Sequence, residues 1–356
     1  MNKWQKVGLA AGMGTAVIAT THIINKFIFK YATINNYTFE NKSENSYGWK
    51  FGNIAYSAYG DKNASPLLLI HDLNAYSSGY EWNNVIQHLS DTHYVYVLDM
   101  LGCGHSDKPH ITYTTYMYTQ LLNDFITNVI GKPTDIMATG SSAPIAIGAA
   151  FTNNALYNKI LLVSPEAVSR AGITPGKRAN IRRKLLSIPV IGTTIYNICV
   201  GKGRLNKILG NKVFSDNLVP IDYLNACHEN AHLSGASSKY LFSSTECNYT
   251  TVSISKAVKE LNNCIYIIHG DNFNTETLNE YTSLNSAIET VNISGSGLLP
   301  QVEQPDEFIK QCEILLFNSI LVGDERTTAY MRKAGVHTST MPEASIYASN
   351  EPKSYS

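Results

Sequence analysis

The sequence predicts an α/β fold in which a mostly parallel central sheet carries helices on both faces. Three observations predict it. Short apolar runs of strand length recur along the chain, helix-period segments separate them, and loops rich in glycine, serine, histidine and aspartate follow each run. Strands apolar on both faces and alternating with helices must be covered on both sides, which a parallel sheet achieves. Its ligands then bind beyond the carboxyl ends of the strands.

The elements follow in order. Pro66-Leu-Leu-Leu-Ile70 is a buried-strand run that leads into His71-Asp72-Leu73-Asn74 and a helix containing Trp82. His93-Tyr-Val-Tyr-Val-Leu98 is the next strand, followed by the loop Asp99 to Pro109. Helical periodicity runs from Met117 to Ile130, and Asp135-Ile-Met-Ala-Thr139 is a strand that meets a small-residue helix through Gly140-Ser141-Ser142. Ile160-Leu-Leu-Val163 ends at Ser164-Pro165-Glu166. After a long insertion come Cys264-Ile-Tyr-Ile-Ile-His269 and the last strand, Thr290-Val-Asn-Ile293.

The turn at Ser142 is the feature closest to chemistry. A strand that ends in a tight bend with a hydroxyl at its tip aims that oxygen out of the sheet, beside the unpaired N–H groups of the following helix. Read as G-x-S-x-G, the string is Gly140-Ser141-Ser142-Ala143-Pro144, with proline in place of the last glycine. Proline is tolerated in a first helical turn, where its missing N–H has no partner anyway. The competing reading is a plain helix cap.

With these elements in this order, the chain resembles the α/β-hydrolase family, in its branch with a helical lid. The resemblance rests on His71-Asp72 where the family has His-Gly, on Asp99 to Pro109 matching D-x-x-G-x-G-x-S-D-K-P, and on the Ser142 elbow. It implies an α/β-hydrolase fold over residues 35–322, with a lid over about 167–250. It also implies that Ser142 attacks an acyl carbonyl while the backbone N–H groups of Leu73 and Ala143 hold the oxyanion. Serine rather than aspartate at the elbow argues against epoxide or halide chemistry.

The same resemblance exposes a departure. The family sets its base in a G-x-G-H-x-P-x-x-E-x-P segment, and this chain reads Gly295-Ser-Gly-Leu298-Leu-Pro300-Gln-Val-Glu303-Gln-Pro305. Leu298 stands where the histidine would be, and a leucine accepts no proton. The acid is equally displaced: Phe273 occupies its expected place, leaving Asp271, two residues earlier, or Glu166, after the preceding strand. Among other histidines, His269 is topologically nearest, while His105 and His110 lie in the loop after Asp99. His228-Glu229-x-x-His232 spells a zinc-binding string without a third ligand, so neither metal nor cofactor is expected.

The insertion after Glu166 includes a basic run from Lys177 to Lys184, read as a solvated face with some attraction for anionic headgroups. Ile188, Val190, Ile191, Ile195 and Tyr196 are candidates to face a ligand or to pack the lid. Overall charge is balanced, which argues against a nucleic-acid partner, and six scattered cysteines form neither a zinc pattern nor a small disulfide framework. Residues 1–34 read as an amino-terminal membrane anchor through residues 7–24, with a cleaved signal peptide and secretion as the alternative. Residues 323–356 read as a flexible polar tail.

Two functions fit. One is a serine hydrolase acting on an ester or other acyl substrate. The other is a catalytically degenerate hydrolase fold that binds a small apolar ligand or a partner. The sequence specifies no oligomeric state.

Overall fold

A computed structural model of the chain describes residues 3–35, 37–38 and 45–317, without the side chains of residues 3, 6–12 and 317. The tail expected over residues 323–356 lies outside the described residues. Residues 1–312 form one compact unit, and 313–356 form another, of which only the end of a helix is described.

Eight strands form one sheet: β1 (Asn45–Trp49), β2 (Gly52–Tyr59), β3 (Ser65–Ile70), β4 (His93–Leu98), β5 (Thr134–Thr139), β6 (Tyr157–Val163), β7 (Ile265–Gly270) and β8 (Glu289–Ile293). Their spatial order is β1-β2-β4-β3-β5-β6-β7-β8. The first three neighbours in that row, β1, β2 and β4, pair antiparallel, and every pairing from β4 to β8 is parallel. β3 and β5 are buried almost throughout, as central strands covered on both faces must be. β1 is buried only at Trp49 and β2 mixes buried with partly exposed positions, so neither carries a continuous apolar run.

The longer helices are α1 (Lys3–Ala32), α2 (Thr115–Phe125), α3 (Ala143–Thr152), α4 (Lys177–Ser187), α5 (Ile191–Cys199), α6 (Lys202–Lys212), α7 (Ile221–His232), α8 (Lys239–Thr245), α9 (Ser255–Glu260), α10 (Thr275–Leu284) and α11 (Pro305–Phe317). α2 begins at an N-cap, Thr114, whose hydroxyl accepts the Met117 N–H, and it presents Met117, Tyr118, Leu121, Leu122 and Phe125 to the core. That face packs on α3, whose alanines and Gly148 permit close approach. α4 to α8 lie between β6 and β7, over the carboxyl ends of the strands.

α1 is not a free-standing segment. Its carboxyl-terminal half docks on the lid through buried Asn25, whose amide donates to Thr194 Oγ1 at 3.1 Å and accepts from Asn197 at 2.9 Å. Phe29 packs against the His232 ring. The membrane span expected over residues 7–24 is not supported, since among the described residues no helix is long and apolar enough to cross a membrane.

Candidate active site

The loop after β4 explains why its motif reads as it does. The Asp99 carboxylate accepts the N–H groups of Gly79 at 2.7 Å and His105 at 2.8 Å. Gly104 lies so close that a Cβ there would meet Asp99 Oδ2 at 2.2 Å, which excludes any other residue. Ser106 donates to the Asp99 carbonyl at 2.6 Å and accepts the Ala55 N–H at 2.8 Å, tying the loop to β2. These residues build a frame. Burial lowers the His71 pKa, so the ring is neutral, bonded through Nδ1 to the Asp72 carbonyl and accepting the Met100 N–H at Nε2.

That frame fixes the loop opposite the elbow, and the elbow itself differs from the sequence expectation. The bend after β5 falls at Gly140, with φ +55°, followed by a short turn over Gly140–Ser142 and then α3. Ser142 lies two residues beyond the bend, inside the first turn. It is fully buried, and its hydroxyl donates to the His71 carbonyl at 2.7 Å. Its expected projection into a cavity is therefore corrected: the left-handed bend selects glycine, and the serine behind it serves as an internal tie between β3's loop and α3. Ala143 is corrected as an oxyanion donor as well, because its N–H is consumed by the Gly140 carbonyl. Leu73 has a buried side chain and borders the cleft described below.

The amide directly after the bend, the one such folds aim at a developing oxyanion, belongs to Ser141. It is occupied. Asp72 Oδ1 accepts the Ser141 N–H at 2.8 Å and the Ser141 hydroxyl at 2.7 Å, and Asn74 donates to the other carboxylate oxygen. A Cβ on residue 140 would meet Asp72 Oδ1 at 2.5 Å. The carboxylate thus fills the space a nucleophile's side chain would need.

Behind this pair lies Glu81, buried, with its Oε2 accepting the Asp72 N–H and its Oε1 receiving Gln301 Nε2 at 3.1 Å. Burial, reinforced by the Asp72 charge, pushes its pKa up to about 8. Glu81 carries no motif in the sequence, and Gly140, Ser141 and Gln301 fall within motif strings that assign them no role. For Gly140 a signal existed, because the string Ala-Thr-Gly-Ser-Ser fits the elbow two residues earlier, with small residues at both flanking positions.

Asp72, Leu73, Gly140, Ser141, Glu166, Phe273 and Leu298 border one cleft of about 990 Å3 beneath the lid. Leu298 is half-buried there, its N–H donating to the Val213 carbonyl at 2.6 Å. Glu166 is held by Arg170 at 2.7 Å, with burial raising its pKa against that cation. Asp271 sits apart from the cleft. It is exposed and closes the β8 loop by accepting from Asn292 and the Gly295 N–H, bonds that hold its carboxyl below the usual range.

No histidine borders the cleft among the described residues. His269 stacks on Phe273, and His110 stacks on Tyr240. His228 and His232 adjoin one another, with no third ligand: no cluster of three metal-ligating side chains occurs among the described residues. The lid face also differs from expectation. Ile188 and Ile191 are exposed and Tyr196 is packed inside the lid, so the cleft is bordered instead by Cys199, Val200, Ile208 and Val213, with Arg204, Lys207 and Lys212. Among the described residues, Cys103, Cys199, Cys227, Cys247 and Cys264 form no disulfide.

A sheet in this order, a sharp bend between β5 and α3, and a helical lid over the strands' carboxyl ends define the hydrolase-fold class of α/β proteins. Within that class, the chain belongs to the alpha/beta hydrolase family, whose model matches residues 67–311. A 2-hydroxy-6-oxo-6-(2'-aminophenyl)hexa-2,4-dienoic acid hydrolase of Metapseudomonas resinovorans is 32% identical over 129 residues, which span 34% of this chain and 44% of that enzyme. Less than half of that relative's length is therefore matched. Among solved structures, a membrane phospholipase A aligns with TM-score 0.62 at 18% identity, covering 89% of this chain and 99% of that one. A meta-cleavage product hydrolase from Pseudomonas fluorescens IP01 aligns with TM-score 0.63 at 17% identity, covering 78% and 98%. These likenesses show the fold.

Proposed function

We propose that this chain is a catalytically degenerate α/β-hydrolase-fold protein whose lidded cleft binds a small, largely apolar ligand. One observation carries the reading: the Asp72 carboxylate occupies the Ser141 amide beside a bend that holds glycine. Acyl transfer needs a nucleophile at the bend and empty donors waiting for negative charge. Here the bend carries no side chain, and the Asp72 carboxylate already occupies the donor. Loss of a nucleophile alone costs about 10⁶-fold in turnover in a serine protease. Leu298 and Phe273, where the family's base and acid are expected, add hydrocarbon instead of proton relay.

The cleft keeps features of a binding site. Its volume of about 990 Å3 accommodates a ligand of lipid-fragment size, and Leu73, Val200, Ile208, Phe242, Phe273 and Leu298 supply apolar wall. Arg204, Lys207 and Lys212 supply cationic groups at the same cleft, which favours an acyl chain ending in a carboxylate.

The test pairs two measurements on the full chain. A fluorophosphonate probe should label the protein no more than it labels Ser141→Ala or Ser142→Ala, and medium-chain fatty acids should raise the melting temperature. Labelling that disappears in either serine variant would overturn the degenerate reading. Absence of any thermal shift would remove the ligand assignment.

A further inference from the structure

The chain is neutral as a whole, with 28 Lys and Arg against 28 Asp and Glu. That balance conceals a separation. Residues 1–39 hold four lysines and no acid, and residues 167–215 hold ten Lys and Arg and no acid, so the remainder has 14 cations against all 28 acids. The two acid-free stretches are distant in sequence and adjacent in space, because α5 packs on both α1 and α4 and Asn25 is bonded into α5.

The cations of this face point outward. α4 exposes Lys177, Arg178, Arg182 and Lys184, and α1 exposes Lys26 and Lys30. Of the ion pairs among the described residues, only Arg170 with Glu166 involves either stretch. Apolar side chains are interleaved with them. Ile181 is 69% exposed on α4 and Ile198 is 66% exposed on α5, where Ile191 shares its stripe two turns earlier. On α1, Met13, Val17, Ile24, Phe27 and Tyr31 recur at helical spacing along one flank of the helix and are exposed. Large exposed aliphatics among cations without acidic partners, on a protein whose acids all lie outside these two stretches, suit neither plain solvent nor an apolar protein partner.

We propose that α1 and the acid-free half of the lid form a docking surface for an anionic lipid bilayer. Lysines and arginines reach the headgroup charge while the isoleucines and aromatic residues enter the acyl boundary, as in interfacial helices. The acidic remainder of the chain is repelled by the same charge, which orients the molecule with its lid toward the lipid. This inference does not depend on whether the cleft is catalytic.

The experiment is sedimentation of the full chain with vesicles of phosphatidylcholine, alone or mixed with phosphatidylglycerol. Binding should be at least about tenfold tighter to the mixed vesicles and should weaken with added salt. Arg178→Glu/Arg182→Glu/Lys184→Glu should lose at least about tenfold, whereas Lys62→Glu/Lys132→Glu/Lys259→Glu, with the same change in net charge elsewhere, should lose little. Far-ultraviolet circular dichroism and melting of each triple variant separate lost docking from lost folding. Equal binding to both vesicle types, equal loss in both triple variants, or binding to heparin or duplex DNA without binding to vesicles would overturn the proposal.

Discussion

Asp72 and Ser141 are joined twice: one carboxylate oxygen accepts both the amide N–H and the hydroxyl of the serine, at 2.8 and 2.7 Å. The two residues are far apart in sequence and meet only because β3 and β5 are neighbours in the sheet. The pair places a side-chain carboxylate at the donor that acyl-transfer folds reserve for a transient oxyanion.

Gly140→Ser alone should therefore destabilise the protein and create no esterase. Its Cβ would meet Asp72 Oδ1 at 2.5 Å, and φ of +55° is strained for any side chain. Asp72→Gly should relieve the first cost, so the double variant should be more stable than additivity allows, by about 1–3 kcal/mol. Chemical denaturation of the four proteins in the cycle measures this. Additive effects would show that the contact is not what excludes a side chain at position 140.

How much of this was legible in the sequence follows from what each feature depends on. β3, β4, β5 and β6 are readable because strands buried on both faces hold an apolar run, here residues 67–70, 95–98, 136–138 and 160–163. β1 and β2 offer no such run, since a mostly exposed edge strand and its partly exposed neighbour resemble loop sequence. The elbow was located but its register was not: Gly140-Ser141-Ser142 satisfies two alignments, and only the backbone angle decides which residue takes the bend. Asp72 was visible as a departure from glycine, yet its partner lies on another strand. Burial of Glu81 and Asn25 had no local signal at all.

Glu81 makes stability depend on pH in a stated direction. Its pKa rises from an ordinary 4.5 to about 8 in the fold because burial and the neighbouring Asp72 disfavour its anion. The folded state thus holds the proton more tightly than the unfolded chain. Its contribution is fully present below pH 4.5 and is lost as pH rises through about 8, by at most about 1.4 kcal/mol per pH unit. The protonated acid also has a waiting acceptor, since Gln301 Oε1 is buried without a partner and an amide reversal would present it to Glu81. Glu81→Gln should flatten this part of the stability profile, measured by denaturation between pH 5 and 8 relative to the unaltered chain. An unchanged slope would place the proton elsewhere.

Asn25 should prove to be the residue that fastens α1 to the lid. It is buried, donates to Thr194 Oγ1 and accepts from Asn197, and these two residues lie one helical turn apart on α5. Leucine at this position has comparable bulk but would leave the Asn197 amide without its acceptor in a closed interface. An unpaired buried donor costs about 1–3 kcal/mol, more than an exposed residue of α1 contributes. Asn25→Leu should accordingly raise amide hydrogen exchange in α1 and α5 while leaving β3 and β5 protected, because the sheet makes no use of this contact. Ile24→Asn, at the neighbouring exposed position, should leave exchange unchanged. If both variants loosen α1 equally, the helix is held by general burial and the polar clamp has no special part in it.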